Sequence, residues 1–203
     1  AYSQGYSDHT GALNYIESHD ETRIVTECVE YQGYEDEEAY GISTLGMVVL
    51  MTAEGTPMIL QGQELGQNSV TSHLDPAPVQ WSNLDTDIGQ NLFENYATLI
   101  DLRKYRNALK DNNLTVKSLL SSQKAIIYWR ISGEDEFIIA ANFDDNDQYL
   151  NIEFPHSGEW FNVLEGGSIN IESNWCGNCM VPAKTAYLYT SDLGEEECLA
   201  GDV

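Results

Sequence analysis

Basic residues are scarce in this chain. Its 203 residues hold 9 Lys+Arg against 33 Asp+Glu, a formal net charge of −24. A surface this negative repels phosphate backbones and anionic headgroups, which argues against nucleic acid and membrane as partners. The acids are not gathered in one tail: residues 1–108 hold 17 acids and 4 bases, and residues 109–203 hold 16 and 5. Such a balance suits a neutral substrate. It also suits high salt, where screening removes self-repulsion, and a merely acidic surface has the same composition.

Long apolar runs are missing too, and none reaches the ~20 residues that cross a bilayer. Cysteine is sparse: Cys28, Cys176, Cys179 and Cys198. The Cys176-Gly-Asn-Cys179 spacing lacks a second such pair, or paired histidines, to complete a zinc site. It also lies in a turn-rich stretch instead of opening a helix as a redox motif does. A local loop disulfide and two free thiols both stay open. The chain has neither a signal peptide nor an initiator Met. It reads as an internal piece of a longer protein, so its localisation stays unknown. The acidic tail, residues 192–203, reads as a linker entering a further module such as a dockerin or sorting repeat, which would make the parent extracellular.

Residues 36–53 predict a helix. Ile42, Leu45, Val49 and Leu50 recur at helical spacing, and acids at 35–38 suit its positive N-terminus. Apolar runs at 12–16 and 57–61 predict short buried strands on either side of it. Strand, helix and strand form a βαβ unit with parallel strands and a right-handed crossover. Residues 62–90, rich in Asn, Asp, Ser and Pro, read as a long functional loop. Residues 91–107 predict a second helix with Leu92, Phe93, Tyr96, Leu99 and Ile100 on one face. Beyond residue 108 come short β-rich runs at 114–120, 124–131, 136–143, 148–154, 159–164 and 185–189. Turn signals separate them, which predicts an antiparallel β-sandwich. The expected domains are residues 1–108, residues 109–191 and a tail, residues 192–203.

Two strings carry the chemistry. Asn14-Tyr-Ile-Glu-Ser-His19-Asp20-Glu21-Thr-Arg23 delivers a polar cluster at the C-terminal end of the first strand, where parallel α/β barrels do their chemistry. Gly55-Thr-Pro57-Met-Ile-Leu-Gln-Gly62-Gln-Glu64 follows after the helix. Together they resemble the alpha-amylase family of glycoside hydrolases, family 13. His19-Asp20 is similar to the His-Asp pair after that family's seventh barrel strand. Gly55, Pro57, Gly62 and Glu64 are similar to its eighth-strand pattern. Residues 75–81 resemble the Pro…Trp segment that often follows, and residues 99–104 resemble the last barrel helix. The resemblance covers most of residues 12–190. It implies an α/β plus all-β fold: the last two strand–helix units of a (β/α)8 TIM barrel, then an antiparallel β-sandwich.

The implied chemistry is cleavage or transfer of α-glucosidic bonds with retention, on α-1,4-glucans or related oligosaccharides. Retention needs a carboxylate nucleophile and a carboxylic acid/base. The resemblance places both upstream of this chain, so the chain alone is expected to be inactive. Asp20 is the expected catalytic residue, stabilising the transition state, and His19 the expected substrate-binding one. Glu17, Glu21 and Arg23 are expected to form a carboxylate–guanidinium pair shaping the loop, and Glu64 to be structural. Gly55 and Gly62 are expected to permit tight turns. Tyr31, Tyr34 and Trp81 either stack on sugars or pack.

No cofactor is expected and no metal ligands are assigned. Acidic stretches at 35–38 and 144–147 could attract Ca²⁺, but the second lacks the Gly and distal Glu of an EF-hand loop and reads as a solvated turn. His73 and His156 read as surface residues without a partner. Transglycosylation, as in glucan-branching enzymes, is the alternative activity. A non-catalytic carbohydrate-binding or transporter-associated homologue is the alternative class. A free-standing binding module over residues 110–190 would need an exposed aromatic platform, and Tyr128, Trp129 and Trp160 read as strand core instead.

Overall fold

The computed structural model describes residues 11–69 and 77–194. The chain divides into two compact units, Ala1–Met51 with Gly55–Leu99, and Thr52–Glu54 with Ile100–Val203.

In the first unit, β1 (Leu13–Asn14) leads to α1 (Ile24–Thr26), which runs into a π-helical turn, Glu27–Gln32. Helix α2 (Asp36–Thr52) follows, then β2 (Thr56–Pro57). The two strands pair in parallel, Leu13 beside Thr56 and Asn14 beside Pro57, as a βαβ unit requires. Helix α2 forms where its spacing predicts, with Asp36, Glu37 and Glu38 in the first turn. Its buried face includes Ala39, Leu45, Met47, Val48 and Met51. Val25, Cys28 and Ala39 form a small cluster, with Tyr34 and Ile42 packed against it.

The strands correct the expectation. Each has two residues, and β1 is not buried: Leu13 is 56 % exposed, as is 44 % of Tyr15 directly after the strand. A parallel pair is buried only where other elements cover both faces, and apolar composition alone cannot supply that cover. The expected long loop also differs. It contains 3₁₀ turns at Gln63–Leu65 and Trp81–Asp85. Helix α3 (Asp87–Tyr105) then starts earlier than predicted. Thr86 explains the early start: its Oγ1 accepts the Gly89 N–H at 3.1 Å, a cap that apolar spacing does not reveal. Helix α3 ends at Tyr105, and a separate turn, α4 (Asn107–Lys110), follows. His73, Asp75 and Pro76 lie outside the described residues, as does most of the tail.

The second unit is all-β after α4. Its strands are β3 (Leu114–Leu120), β4 (Ala125–Ser132), β5 (Asp135–Asn142), β6 (Gln148–Glu153), β7 (Gly158–Asn162), β8 (Ser168–Ile171), β9 (Trp175–Val181) and β10 (Thr185–Thr190). Six form one antiparallel sheet in the order β3-β4-β5-β10-β7-β8, and β6 pairs with β9. Ile127, Ile138 and Ala140 from the large sheet meet Leu150, Ile152 and Val181 from the ribbon. Phe154, Trp160 and Tyr189 complete this core, with ring centroids 5.1 Å apart for Phe154–Trp160 and 5.6 Å for Phe154–Tyr189.

Strands β8 and β9 were absent from the sequence expectation because their composition imitates turns. In β9 the Cys-Gly-Asn-Cys string is a bulge: Cys179 pairs with Leu150 and Cys176 with Ile152, so Gly177 and Asn178 face Asn151 alone. A disulfide joins Cys176 and Cys179, whose Cα atoms are 5.8 Å apart. The bond that remained open is therefore made, within a strand instead of a loop. Cys28 is buried and takes no part in a disulfide. His156 is another correction. Its Nε2 lies 2.7 Å from Glu136 Oε2, a partner twenty residues earlier in the chain.

Two arginines explain why Thr52–Glu54 belong with this unit. Arg130, fully buried on β4, donates to the carbonyls of Thr52, Leu109 (3.0 Å) and Asp111 (2.5 Å) and to Asn113 Oδ1 (2.6 Å). Arg103 Nη1 donates to the Ala53 carbonyl at 2.7 Å and to that of Leu109. The carbonyls left unpaired at the ends of α2 and α4 are thus satisfied by fixed positive charge. Burial, and then the neighbouring Arg130 charge, pull Arg103 down to about 10. Burial pushes the Tyr128 hydroxyl, 2.5 Å from Thr52 Oγ1, up to about 12.

Candidate functional site

The segment after β1 is organised by one buried carboxylate. Glu17 is 1 % exposed. Its Oε1 accepts from Arg23 Nη1 at 2.9 Å, and its Oε2 accepts from the Ile24 N–H at 2.7 Å. Arg23 Nη2 then donates to the Gln61 carbonyl at 2.9 Å, tying this loop to the segment that follows β2. Burial raises the Glu17 pKa, while the Ile24 N–H and the Arg23 charge act against that rise. The expected carboxylate–guanidinium pair is therefore Glu17–Arg23.

Glu21 plays a different part. Its carboxylate receives Tyr15 OH at 3.3 Å and Ser18 Oγ at 3.5 Å. Ser18 also accepts twice: the Asp20 N–H reaches its Oγ and the Glu21 N–H its carbonyl, each at 3.3 Å. The result is a tight turn with His19 and Asp20 at its crest. Their side chains are 72 % and 67 % exposed, with His19 Nε2 3.4 Å from Asp20 Oδ1.

The segment after β2 is equally specific. Gly55 has φ +111°, and a Cβ there would lie 2.5 Å from Asn14 Nδ2 and 2.9 Å from the Ala12 carbonyl. Glycine is needed both for its backbone angle and for close approach to β1. Gly62 has φ +93°, and its N–H donates to Glu64 Oε2 at 2.8 Å, so Glu64 holds the turn. Tyr96, buried on α3, sits beneath it. Its hydroxyl lies 2.8 Å from Ser43 Oγ and receives Gln63 Nε2 at 3.0 Å. Burial raises the Tyr96 pKa and keeps the phenol neutral.

Tyr34 packs in the small cluster of the first unit, whereas Tyr31 and Trp81 are exposed. Among the described residues no group of three or more His, Cys, Asp and Glu side chains forms a metal cluster. Sequence reading missed the reach of the Glu17 network. Its one signal was a carboxylate placed directly after an apolar run, six residues before an arginine. The arrangement at the crest presents an imidazole and a carboxylate side by side in the open. It can bond adjacent hydroxyls and answer a developing positive charge. A retaining double displacement needs two carboxyl groups flanking the bond, and this crest supplies one.

Residues 119–200 match the family described as alpha amylase, C-terminal all-beta domain. Neopullulanase 2 of Thermoactinomyces vulgaris is 29 % identical over 164 residues, covering 79 % of this chain and 26 % of that protein. The chain thus spans about a quarter of the length of this curated relative. Among solved structures, an alpha-amylase from Geobacillus thermoleovorans complexed with acarbose superposes with a TM-score of 0.71 at 18 % identity, covering 93 % of this chain and 40 % of that one. A pullulanase from an Anoxybacillus species, complexed with maltotetraose, gives 0.71 at 13 % identity, covering 92 % and 29 %. Residues 119–200 thus carry the C-terminal all-beta domain of alpha amylases, and the chain is similar in sequence to a neopullulanase and in fold to alpha-amylases and pullulanases.

Proposed function

We propose that the parent protein is a retaining alpha-amylase-type glycoside hydrolase acting on α-1,4-glucans or their oligosaccharides. In this reading the first unit is the last two strand–helix units of a (β/α)8 barrel. Its nucleophile and acid/base come from parts of the parent outside this chain, so the 203-residue chain alone does not turn over substrate. The observation that carries the reading is the exposed His19–Asp20 pair, held at the C-terminal end of β1 beside parallel β2. Asp20 bonds hydroxyls of the sugar undergoing cleavage, and its charge stabilises the oxocarbenium-like transition state. His19 donates to the same sugar. Glu17 acts through Arg23 and Ile24 and holds the crest in place.

Hydrolysis is preferred to transfer because the similar proteins are named as a neopullulanase, an alpha-amylase and a pullulanase. Acarbose and maltotetraose in those structures support a neutral α-glucan as substrate. The test is Asp20→Asn in the full-length parent. It preserves shape and removes the charge, so kcat should fall at least ~100-fold with the fold intact. A near-normal kcat overturns the role given to Asp20. Release of reducing ends without lengthened products separates hydrolysis from transfer.

A further inference from the structure

The β6–β9 ribbon turns one face into the core and the other to solvent. Leu150, Ile152 and Val181 point inward, with Cys176 and Cys179 packed against the same core. The opposite face carries Tyr149 paired with Met180 at one end, and Glu153 paired with Trp175 at the other. Tyr149 is 58 % exposed and Trp175 52 %. Asn151 and Asn178 are exposed between them, and Asn151 Oδ1 accepts the Asn178 N–H at 3.0 Å. Two large aromatic side chains thus stand out of a folded β domain on either side of paired carboxamides. Neither ring is needed for the core, which closes without them.

The charge of this face selects the ligand class. On a chain of net charge −24, its one carboxylate, Glu153, is neutralised by Lys117 at 2.8 Å. The Lys117 ammonium lies 3.8 Å from the Trp129 ring centroid. The remaining groups, Tyr149, Asn151, Trp175, Asn178 and Met180, are uncharged. Such a strip offers nothing to an anion, and the carboxamides interrupt the continuous apolar area that a protein partner would bury. It offers flat rings for the apolar faces of pyranose sugars and amides that both donate to and accept from hydroxyls. Tyr149 and the Trp175–Glu153 pair are four residues apart along β6, about 13 Å. That separation exceeds one sugar ring, so the rings engage different sugars of one chain.

We propose that the outer face of the β6–β9 ribbon is a second glucan-binding surface, distinct from the His19–Asp20 site. Tyr149 and Trp175 are its stacking platforms, and Asn151 and Asn178 are its hydrogen-bonding groups. The ligand class rests on the glucan reading given under Proposed function. The disulfide across the β9 bulge begins at Cys176, the residue directly after Trp175.

The test is affinity electrophoresis of the 203-residue chain in native gels containing soluble amylose, with xylan gels in parallel. Retardation should occur in amylose and weaken about tenfold in either Trp175→Ala or Tyr149→Ala, in line with loss of one buried ring. Trp175→Phe should retain part of it. Both side chains are exposed, so melting temperatures should match the parent chain and exclude misfolding as the cause. Retardation by amylose that survives both substitutions overturns this surface and leaves the catalytic reading standing. Retardation by xylan instead of amylose, lost in both variants, overturns the α-glucan assignment here and for the catalytic site together. No retardation in either gel overturns the surface, while hydrolysis by the parent still decides the catalytic reading.

Discussion

The two units solve the same problem, how to satisfy buried polar groups, on different scales. In the second unit Arg130 alone reaches three backbone carbonyls and Asn113, and it does so beside a core shared by two sheets. In the first unit Glu17 and Arg23 perform a similar task, but the strands they join have two residues each, and Leu13 and Tyr15 are exposed. One unit closes its core with its own strands. The other concentrates its order in a loop that lifts His19 and Asp20 into solvent. In the function proposed above, the site and the stability are drawn from different parts of the chain, as is common where loops carry sites and sheets carry the fold.

The contrast is most easily broken by protease. Limited digestion of the 203-residue chain should cut within the first unit and leave a resistant C-terminal fragment containing β3 to β10. The first unit has exposed apolar side chains on short strands, and its backbone opens at low cost. The second has eight strands around a common core. Mass spectrometry of the fragments reads the result. Equal survival of both units removes the contrast.

Within the second unit, Arg130→Met should cost about 3 kcal/mol. The Thr52 and Asp111 carbonyls and Asn113 Oδ1 would lose this charged donor, and the Leu109 carbonyl would keep only Arg103. Arg130→Lys should recover only part, because an ammonium cannot reproduce the planar fork. Urea unfolding followed by tryptophan fluorescence measures both. A loss under 1 kcal/mol, on the order of an ordinary surface substitution, would show that these carbonyls find other partners.

Glu17→Gln sharpens the other half of the comparison. Glu17 Oε2 accepts the Ile24 N–H, so that amide reports the loop directly. Loss of a charged acceptor should weaken local order by about 1.5 kcal/mol and speed Ile24 amide exchange roughly tenfold. The unfolding of the second unit should not move. Unchanged exchange at Ile24 would mean that Arg23 and the Gln61 carbonyl hold the loop without the carboxylate.

How much of this was legible in the sequence differs between the units for the same physical reason. Short β-rich runs bounded by turn signals mark strands, so β3 to β7 and β10 stand out. Strand β9 does not, because Cys-Gly-Asn-Cys is a bulge whose composition imitates a turn. The apolar run around Leu13 predicts burial that the fold does not supply, since apolarity states what a strand tolerates and burial depends on what lies against it. In the segment after β1, a carboxylate–guanidinium pair among Glu17, Glu21 and Arg23 was readable from one short string, and Glu17 is the carboxylate that makes it. The Gln61 carbonyl was not, because it comes from the segment after β2. Tyr128 and Trp160 are core, as their strands suggested, but the exposed platform lies on Tyr149 and Trp175. Its Trp175 half is hidden in the sequence because the composition of β9 imitates a turn. The partner of His156 is not legible in the sequence, because Glu136 meets it only through tertiary structure.

That last pair gives the smallest effect. His156 Nδ1 faces the Ser157 carbonyl at 2.8 Å, and Nε2 faces Glu136 Oε2 at 2.7 Å. Ser191 Oγ also donates to Glu136, at 3.2 Å, and the imidazole lies over Trp160 with centroids 5.0 Å apart. Both ring nitrogens meet acceptors, so the protonated form is favoured. The Ser157 carbonyl first, and then Glu136, raise the folded pKa above the ordinary 6.5. A histidine with a raised folded pKa adds stability that is fully present below its unfolded value. That stability is lost as pH rises through the folded value. The window therefore opens near pH 6.5 and extends upward from it. The side chain is half exposed, so solvent screening holds the gain to about 0.5 kcal/mol. Melting curves of the chain and of His156→Gln between pH 5.5 and 8.5 should differ most at the acid end and converge at the alkaline end. Glu136→Gln should shrink the pH-dependent part while leaving the ring on Trp160. A difference between the chain and His156→Gln that stays constant across that range would assign the whole effect to packing on Trp160 and none to charge.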